Sequence, residues 1–269
     1  MIVVTGASGF IGSNLISGLN SLGITNILQV GGAQAIAAMA YGTETIARVE
    51  RIVGPGNAYV AAAKKLVSSD VAIDFVAGPS EIVIIASDGN PTWIAADMLA
   101  QAEHDVDARA ILITTSIDLA NKVQKELEKQ MDSLPTASVA RVAIERNSAI
   151  VLCDSDDDAV ALSNSIAPEH LSLYDETLVV GVTNAGSIFL GPFSPEAAGD
   201  YASGPNHILP TSGVAAIRGG LSVNDFVKVI TTQRLTRDAL QELGSTVSTM
   251  ARAEGLEAHA RSVEVRLNG

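Results

Sequence analysis

The chain has 269 residues, of which 47% are hydrophobic and 17% are charged, so it can bury one large core or two modest ones. Its 17 basic and 30 acidic residues give a formal net charge of −13, which argues against binding of nucleic acid through a basic face. A single cysteine, Cys153, excludes an internal disulfide framework and a multi-cysteine metal site. We therefore expect a folded protein that does not bind nucleic acid.

The opening residues and the hydropathy pattern bear on localisation. The start, MIVVTGASGF, lacks the basic region of a signal peptide, and no apolar run approaches the roughly 18 residues that a membrane span needs. A lone cysteine is also compatible with a reducing compartment. These features predict a cytoplasmic protein with no membrane partner.

Short aliphatic runs alternate with helix-length stretches along most of the chain. This pattern predicts an α/β fold, in which parallel strands are joined by crossover helices. The predicted strands cover residues 2–4, 26–30, 51–53, 71–75, 81–86, 108–114, 149–152, 171–174 and 186–190. One predicted helix follows the first strand and ends near residue 22. The other predicted helices cover residues 31–41, 57–67 with Asn57 as N-cap, 91–103, 118–130, 156–166 and 237–255.

The order of these elements suggests three parts. We expect two incomplete doubly wound, Rossmann-like domains, residues 1–78 and 79–220, and a C-terminal helical tail, residues 221–269. The turn Ala77-Gly78-Pro79-Ser80 marks the predicted boundary between the two domains. The later segment GPFSPEAAGDYASGPNHILP is so rich in glycine, proline and serine that we expect it to lack regular structure.

Three glycines follow the first predicted strand. Gly6, Gly9 and Gly12 form a G-x-x-G-x-x-G variant of the dinucleotide fingerprint, in which a pyrophosphate approaches backbone N–H groups at a helix N-terminus. The second strand, however, ends in Gln29-Val30 instead of an acidic ribose ligand, and no tyrosine has a lysine four residues later. Two interpretations stay open: a nucleotide site, or a glycine turn that only packs a helix on a strand.

The four histidines lie near other metal-ligating residue types. Gln101 and His104 are three residues apart at the end of a predicted helix, so both project from one face. Asp200 and His207 share the glycine-rich loop, and Glu254 and His259 lie at the end of the last long helix and just beyond it. Mixed nitrogen and oxygen ligands suit zinc. Spacing alone leaves open the alternative of ordinary histidines at helix ends and in a loop.

Two further motifs allow both a chemical and a structural interpretation. Glu169 and His170 stand together at the start of a predicted strand, where an acid and an imidazole can act as two separate proton carriers. They can equally be two solvated residues at the entrance of a strand. Gly54-Pro55-Gly56-Asn57 opens a helix and can hold a phosphate on free N–H groups, or it can be a tight turn.

Seven strings, taken together and in order, resemble histidinol dehydrogenases from about residue 27 to residue 268. The strings are VGGAQAIAAMAYGTETI, IVGPGNAYVAAAKKLV, AGPSEIVIIA, AQAEHD, APEHL, AGDYASGPNHILPT and AEGLEAHARSVEVRLN. The resemblance implies an enzyme that oxidises L-histidinol through an enzyme-held aldehyde to L-histidine, the last two steps of histidine biosynthesis, with two NAD and one zinc per site.

The resemblance also implies roles for individual residues. Glu169 and His170 match the proton-transfer pair, His170 as the base that takes the hydroxyl proton and Glu169 as the group that helps to activate water. The positions matching the zinc ligands are Gln101, His104, Asp200 and His259, with His259 reaching the site of the partner in a homodimer. The positions matching histidinol contacts are Ser80, His207 and Glu254, and those matching NAD contacts are Gln34 and Asn57.

The first 28 residues do not carry these strings. Residues 1–28 instead resemble the NAD-binding start of an extended short-chain dehydrogenase or sugar-nucleotide epimerase, which predicts a chimera in which one β-α unit replaces another. A folded but inactive chimera is therefore the alternative to an active dehydrogenase. An epimerase-type NAD oxidoreductase ranks last, because the acidic ribose contact and the Tyr/Lys pair of that family are missing.

Overall fold

The computed structural model describes residues 10–23, 30–204 and 206–268. They form two compact units, one extending to Phe226 and one beginning at Val227. The α-helices of the first unit are α1 (Phe10–Ser21), α2 (Gly32–Tyr41), α3 (Ala58–Val67), α4 (Pro91–Ala102), α5 (Ile117–Met131), α6 (Ala137–Asn147), α7 (Asp156–Ile166) and α8 (Glu196–Tyr201). Its strands are β1 (Arg51–Ile52), β2 (Ala72–Ile73), β3 (Glu81–Ile85), β4 (Arg109–Thr114), β5 (Ala149–Leu152), β6 (His170–Leu173) and β7 (Ser187–Leu190).

The main sheet has five parallel strands in the order β5-β4-β3-β6-β7. Strand β3 is buried along its whole length because helices cover both faces of the sheet. Its side chains alternate between the faces: Ile82 and Ile84 pack with α4, α5 and α6, and Val83 and Ile85 pack with α7. The α/β fold with parallel strands is therefore confirmed.

The crossover helices begin at the caps that the sequence provides. Helix α4 starts at Asn90, whose Oδ1 accepts a hydrogen bond of 2.9 Å from Thr92 N, and Pro91 occupies its first position. The side chain of Ser116 accepts a hydrogen bond of 3.2 Å from Leu119 N at the start of α5. The cap at Asn90 fixes where helix α4 begins after strand β3. It thereby fixes where the other end of α4 lies relative to the sheet.

A smaller sheet pairs β1 and β2 in parallel. Helices α2 and α3 pack around it through buried aliphatic residues that include Ile36, Ile52 and Val67. The predicted N-cap of α3 is confirmed, because Oδ1 of Asn57 accepts hydrogen bonds of 3.1 Å from Tyr59 N and from Val60 N. The predicted strand at residues 2–4 and most of that at residues 26–30 lie outside the described residues.

Two helices differ from the sequence prediction. Helix α6 was not predicted, because its buried face consists of the small residues Ala140 and Ala143, which give a weak hydrophobic pattern. The prediction of an irregular segment around residues 191–210 is wrong in part, because six of its residues form helix α8. Glutamate and alanine at the start of α8 favour a helix despite the surrounding glycine and proline.

The second unit consists of α9 (Arg237–Ala253) and α10 (Glu257–Leu267), as expected for a helical tail. Gly255, with φ of +76°, makes the turn between them. Arg252 forms ion pairs with Glu257 and Glu264, and a Cβ at Gly244 would lie 2.6 Å from Leu267 Cδ1. The two helices therefore pack closely and run antiparallel. Among the described residues, no helix is both long and apolar enough to cross a membrane.

Candidate active site

A cavity of about 280 Å³ lies at the amino ends of strands β3 and β6. Ser80 precedes β3, and Glu169 and His170 stand at the start of β6. The glycine turn of residues 54–56 and the segment of residues 207–211 also line the cavity. Its polar and titratable lining residues are Ser80, Gln101, His104, Glu169, His170, Asp200, Tyr201, His207 and Thr211. The fold therefore brings together residues that are up to 157 positions apart, from Gly54 to Thr211.

One side of the cavity holds a group of side chains that can bind a metal ion. Ligand atoms of His104, Glu196 and Asp200 all lie within 4.8 Å of one another. Glu196 and Asp200 are four residues apart on α8, so both project from one face of that helix. His104 follows the end of α4, where its backbone N–H donates to Gln101 O over 3.3 Å. Nitrogen and oxygen donors in this combination suit zinc.

Glu196 is a site residue that the sequence analysis missed. Its relative exposure is only 4%, although it lies in the segment that we expected to be irregular. The spacing of four residues from Asp200 was the available signal, but it points to a shared face only if that segment is helical. Glu196 was therefore missed because this segment was predicted to be irregular and not helical.

The imidazole of His170 is buried and its protonated nitrogen can be identified. Its Nδ1 lies 3.3 Å from the carbonyl oxygen of Glu81, 3.7 Å from Oε1 of Glu196 and 3.8 Å from Oε2 of Glu169. The Glu81 carbonyl can only accept a hydrogen bond, so Nδ1 carries the proton and Nε2 keeps its lone pair. Burial lowers the pKa of His170 to about 4, so the imidazole is neutral near pH 7.

The carboxyl group of Glu169 is also buried, and its Oε2 accepts a hydrogen bond of 3.0 Å from Glu81 N. Burial, together with the nearby charges of Glu81 and Asp200, raises the pKa of Glu169 to about 8. Burial first, and then the charges of Asp200 and Glu169, also raise the pKa of Glu196. Several carboxyl groups thus share one poorly solvated space, and a bound cation would relieve their mutual repulsion.

The remaining residues from the sequence analysis lie outside this cavity or outside the described part of the chain. Gln34 is exposed on the first turn of α2, and Asn57 caps α3 beside the glycine turn. Glu254 and His259 belong to the second unit, at the end of α9 and in α10. Gly12 lies in α1, and Gly6 and Gly9 lie outside the described residues.

Comparison with known proteins identifies the family of this chain. The family model described as histidinol dehydrogenase matches residues 1–267. The chain belongs to the histidinol dehydrogenase family. The histidinol dehydrogenase of Bacillus cereus (strain ATCC 10987 / NRS 248) is 50% identical over 270 residues, which are 99% of this chain and 63% of that relative. That of Nitrobacter winogradskyi is 50% identical over 272 residues, which are 100% of this chain and 63% of the relative.

A solved structure supports the same assignment. The crystal structure of histidinol dehydrogenase from Elizabethkingia anophelis aligns with a TM-score of 0.86 and 47% identity, and the alignment covers 93% of this chain and 58% of that one. This histidinol dehydrogenase-family chain therefore spans less than two thirds of the length of the curated relatives and the structure it matches.

The prediction of a chimera is not supported. The family model begins at residue 1, and the relatives align over 99% or 100% of the chain, so the first 28 residues fall within the matched region. A glycine-rich turn between a strand and a helix occurs in many α/β proteins, because it lets the helix start close to the sheet. The spacing of Gly6, Gly9 and Gly12 therefore does not identify an epimerase.

Proposed function

We propose that the chain carries the catalytic and metal-binding part of a histidinol dehydrogenase, which oxidises L-histidinol to L-histidine through L-histidinaldehyde with two NAD. The observation that supports this proposal is the cavity in which Glu169 and His170 lie beside Gln101, His104 and Asp200. The proposed proton-transfer pair, Glu169 and His170, thus lies in the same small cavity as three residues that can bind a metal ion. That combination suits a small polar substrate that must be held and deprotonated at the same place.

Zinc is the metal that we propose for this site. Gln101, His104 and Asp200 would hold it within one subunit, and His259 from a second copy of the chain would complete the ligand set. When bound, zinc supplies a fixed Lewis-acid centre that orients the amine and imidazole of the substrate. Ser80 and His207 line the same cavity and would contact histidinol, together with Glu254.

His170 is the proposed general base. Its neutral imidazole presents Nε2 as an acceptor, because Nδ1 donates to the Glu81 carbonyl. Nε2 takes the proton from the substrate hydroxyl while the carbinol carbon loses a hydride, and the C–H pair of electrons leaves with that hydride. NAD, when bound, accepts one hydride in each of the two oxidations. The first oxidation yields the aldehyde.

Glu169 is the proposed activator of water in the second oxidation. Its ionised carboxylate takes a proton from water as the water oxygen bonds to the aldehyde carbon. The carbonyl oxygen receives the proton that His170 took in the first oxidation, which gives the hydrated aldehyde and leaves His170 neutral again. The hydrate then loses a proton to His170 and a hydride, and the carboxylic acid of histidine results. Burial raises the pKa of Glu169 to about 8 in the metal-free protein, so we expect this step to become faster as the pH rises toward that value.

Gln34 and Asn57, with the glycine turn of residues 54–56, are the proposed NAD contacts. The turn lines the cavity, and the N-terminus of α3 follows it, where backbone N–H groups favour phosphate. Gly6, Gly9 and Gly12 remain a second proposed nucleotide contact. The division into residues 1–78, 79–220 and 221–269, the homodimer and a cytoplasmic location belong to the same proposal.

A second candidate is a folded but inactive part of the enzyme; the region that the chain matches covers 63% of the length of its relatives. Purified protein with zinc, NAD and L-histidinol separates the two. Formation of NADH at alkaline pH that is lost in His170→Ala supports the dehydrogenase. Stoichiometric zinc without any NADH above the His170→Ala level would leave a metal-binding part without turnover.

A further inference from the structure

Glu196 is buried beside His104 and Asp200, two residues that can bind a metal ion, yet the proposed mechanism gives Glu196 no role. Its relative exposure is 4%, and its carboxylate is within 4.8 Å of ligand atoms of His104 and Asp200. Removing such a carboxylate from water costs free energy unless a partner compensates it. The partner that the structure provides is the amide of Gln101.

The orientation of the Gln101 amide follows from its surroundings. Gln101 is fully buried, and only with its NH2 group turned toward α8 does it form hydrogen bonds. Nε2 then donates to Glu196, at 2.6 Å from Oε1 and 3.3 Å from Oε2. With Glu196 ionised, as it is when a cation is bound beside it, the opposite orientation would place the amide oxygen against two carboxylate oxygens, and all three of these atoms only accept hydrogen bonds. Glu196 therefore determines which atom of Gln101 faces away from α8.

We infer that Glu196 is a positioning residue for the metal site: it holds the NH2 group of Gln101, so that the amide oxygen is presented to the cation. This inference rests on the proposed zinc site. An amide binds a hard or borderline cation through its oxygen and not through its nitrogen, so an amide turned the other way contributes no ligand. The hydrogen bond also draws electron density toward Oε1, which makes the oxygen a better donor.

The hydrogen bonds of Glu196 favour this role over direct ligation, which its distance from His104 and Asp200 also permits. Both oxygens of Glu196 lie near Gln101 Nε2, and Oε1 is 3.7 Å from His170 Nδ1, beyond hydrogen-bond distance. The carboxylate is thus directed at the amide. Asp200, one helical turn later on α8, offers the carboxylate that remains for the cation. Helix α8 therefore contributes one ligand and one residue that orients a ligand from α4.

The test measures cobalt binding to the full chain, with visible absorption as a direct signature of the site and chelator competition as a measure of affinity. Glu196→Ala should lower cobalt affinity by about 10- to 100-fold, the effect typical of losing an outer partner of a metal ligand. Glu196→Gln keeps an oxygen that accepts from Gln101 and should lose less. Glu128→Gln, which makes the same change at an exposed position on α5, should leave the affinity unchanged.

The decisive comparison is a double-mutant cycle with Gln101→Ala. If Glu196 acts through Gln101, Glu196→Ala causes no further loss when Gln101 is already alanine. An undiminished loss in that background would overturn the inference and make Glu196 a ligand itself. Unchanged affinity in Glu196→Ala alone would also overturn it, while leaving the zinc proposal intact.

Two controls keep these outcomes distinct. Absence of cobalt binding in the unsubstituted chain would overturn the zinc proposal and this inference with it. Circular dichroism and thermal unfolding show whether each variant folds. If Glu196→Ala does not fold, the same cycle is carried out with Glu196→Gln, whose smaller loss should likewise vanish in the Gln101→Ala background.

Discussion

His170 Nδ1 lies 3.3 Å from the carbonyl oxygen of Glu81, the first residue of the neighbouring strand. The contact arises from the parallel register of the sheet, in which His170 on β6 pairs with Ile82 on β3. A shift of β6 by one residue would turn the imidazole to the opposite face of the sheet. Strand register therefore determines both the direction of the ring and the nitrogen that carries its proton.

Replacement of His170 tests the proposed general base. We expect His170→Ala to lower the rate of NADH formation from L-histidinol by about 10²- to 10⁴-fold, the range for loss of general base catalysis. Added imidazole should restore part of the rate, because a small base can occupy the space of the missing ring. A variant that keeps the full rate, measured by NADH absorbance, would exclude His170 as the base.

The pH dependence of the reaction tests Glu169. With a pKa of about 8, Glu169 is mostly protonated at pH 7 and mostly ionised at pH 9, so the oxidation of the aldehyde should accelerate between these values. Glu169→Gln should remove this rise and slow the aldehyde step more than the alcohol step. Rate profiles with histidinol and with histidinaldehyde as substrates provide the measurement. An identical alkaline rise in Glu169→Gln would assign the titration to another group.

The same carboxyl group affects the stability of the metal-free protein. Because the pKa of Glu169 is raised on folding from 4.5 to about 8, its contribution to stability is fully present below pH 4.5 and is lost as the pH rises through about 8. The free energy of unfolding should therefore decrease between about pH 4.5 and pH 8. Urea unfolding of metal-free protein should show a smaller decrease in Glu169→Gln. An equal decrease in both proteins would contradict the assignment.

Asp200 is the proposed carboxylate ligand of the zinc site. Asp200→Ala should abolish stoichiometric zinc, as measured by elemental analysis of dialysed protein, while the far-ultraviolet circular dichroism stays unchanged. Asp88→Ala provides a matched control, because Asp88 is exposed and does not line the site cavity. Zinc retained by Asp200→Ala at the level of the control would refute the assignment.

A buried ion pair supports the glycine turn beside the cavity. Lys64 and Asp74 form a salt bridge with side-chain exposures of 3% and 0%, and both bind the turn: Lys64 Nζ donates to Gly54 O over 3.0 Å, and Gly54 N donates to Asp74 Oδ2 over 2.8 Å. Lys64→Met leaves a buried carboxylate uncompensated and should destabilise the protein by about 3–5 kcal/mol.

Two variants make the ion-pair prediction specific. Lys65→Met, at the exposed neighbouring position, should change the free energy of unfolding by less than about 0.5 kcal/mol. Lys64→Met combined with Asp74→Asn should be more stable than Lys64→Met alone, because the unpaired charge is gone. Chemical denaturation of all three variants measures their free energies of unfolding. Equal stability of Lys64→Met and Lys65→Met would refute the predicted effect of the Lys64–Asp74 ion pair.

The sequence predicted most of the main sheet because its strands are short aliphatic runs between recognisable caps. The observed β5 and α7 have the predicted bounds, and α4 ends one residue before the predicted end. Helix α6 was missed because alanine provides little hydrophobic contrast. The short α8 was missed because glycine and proline around it dominate the local pattern.

The site was harder to predict than the sheet. Local spacing linked Gln101 with His104 and Glu169 with His170, but no local pattern shows that α8 meets α4 at the amino end of β6. The roles assigned to these residues came from the family resemblance instead. Glu196 did not belong to any recognised motif, and it became visible only through its contacts with Gln101 and its distance from His104 and Asp200.

The cavity joins parts of the chain that differ in how firmly they are held. His170 belongs to an inner strand of the sheet, and amide protons there exchange with solvent only when the whole unit opens. Asp200 belongs to a six-residue helix between glycine-rich segments, which can open separately. Deuterium should thus enter α8 long before β6. Mild denaturant should consequently release a bound cation while the sheet, with its imidazole, persists.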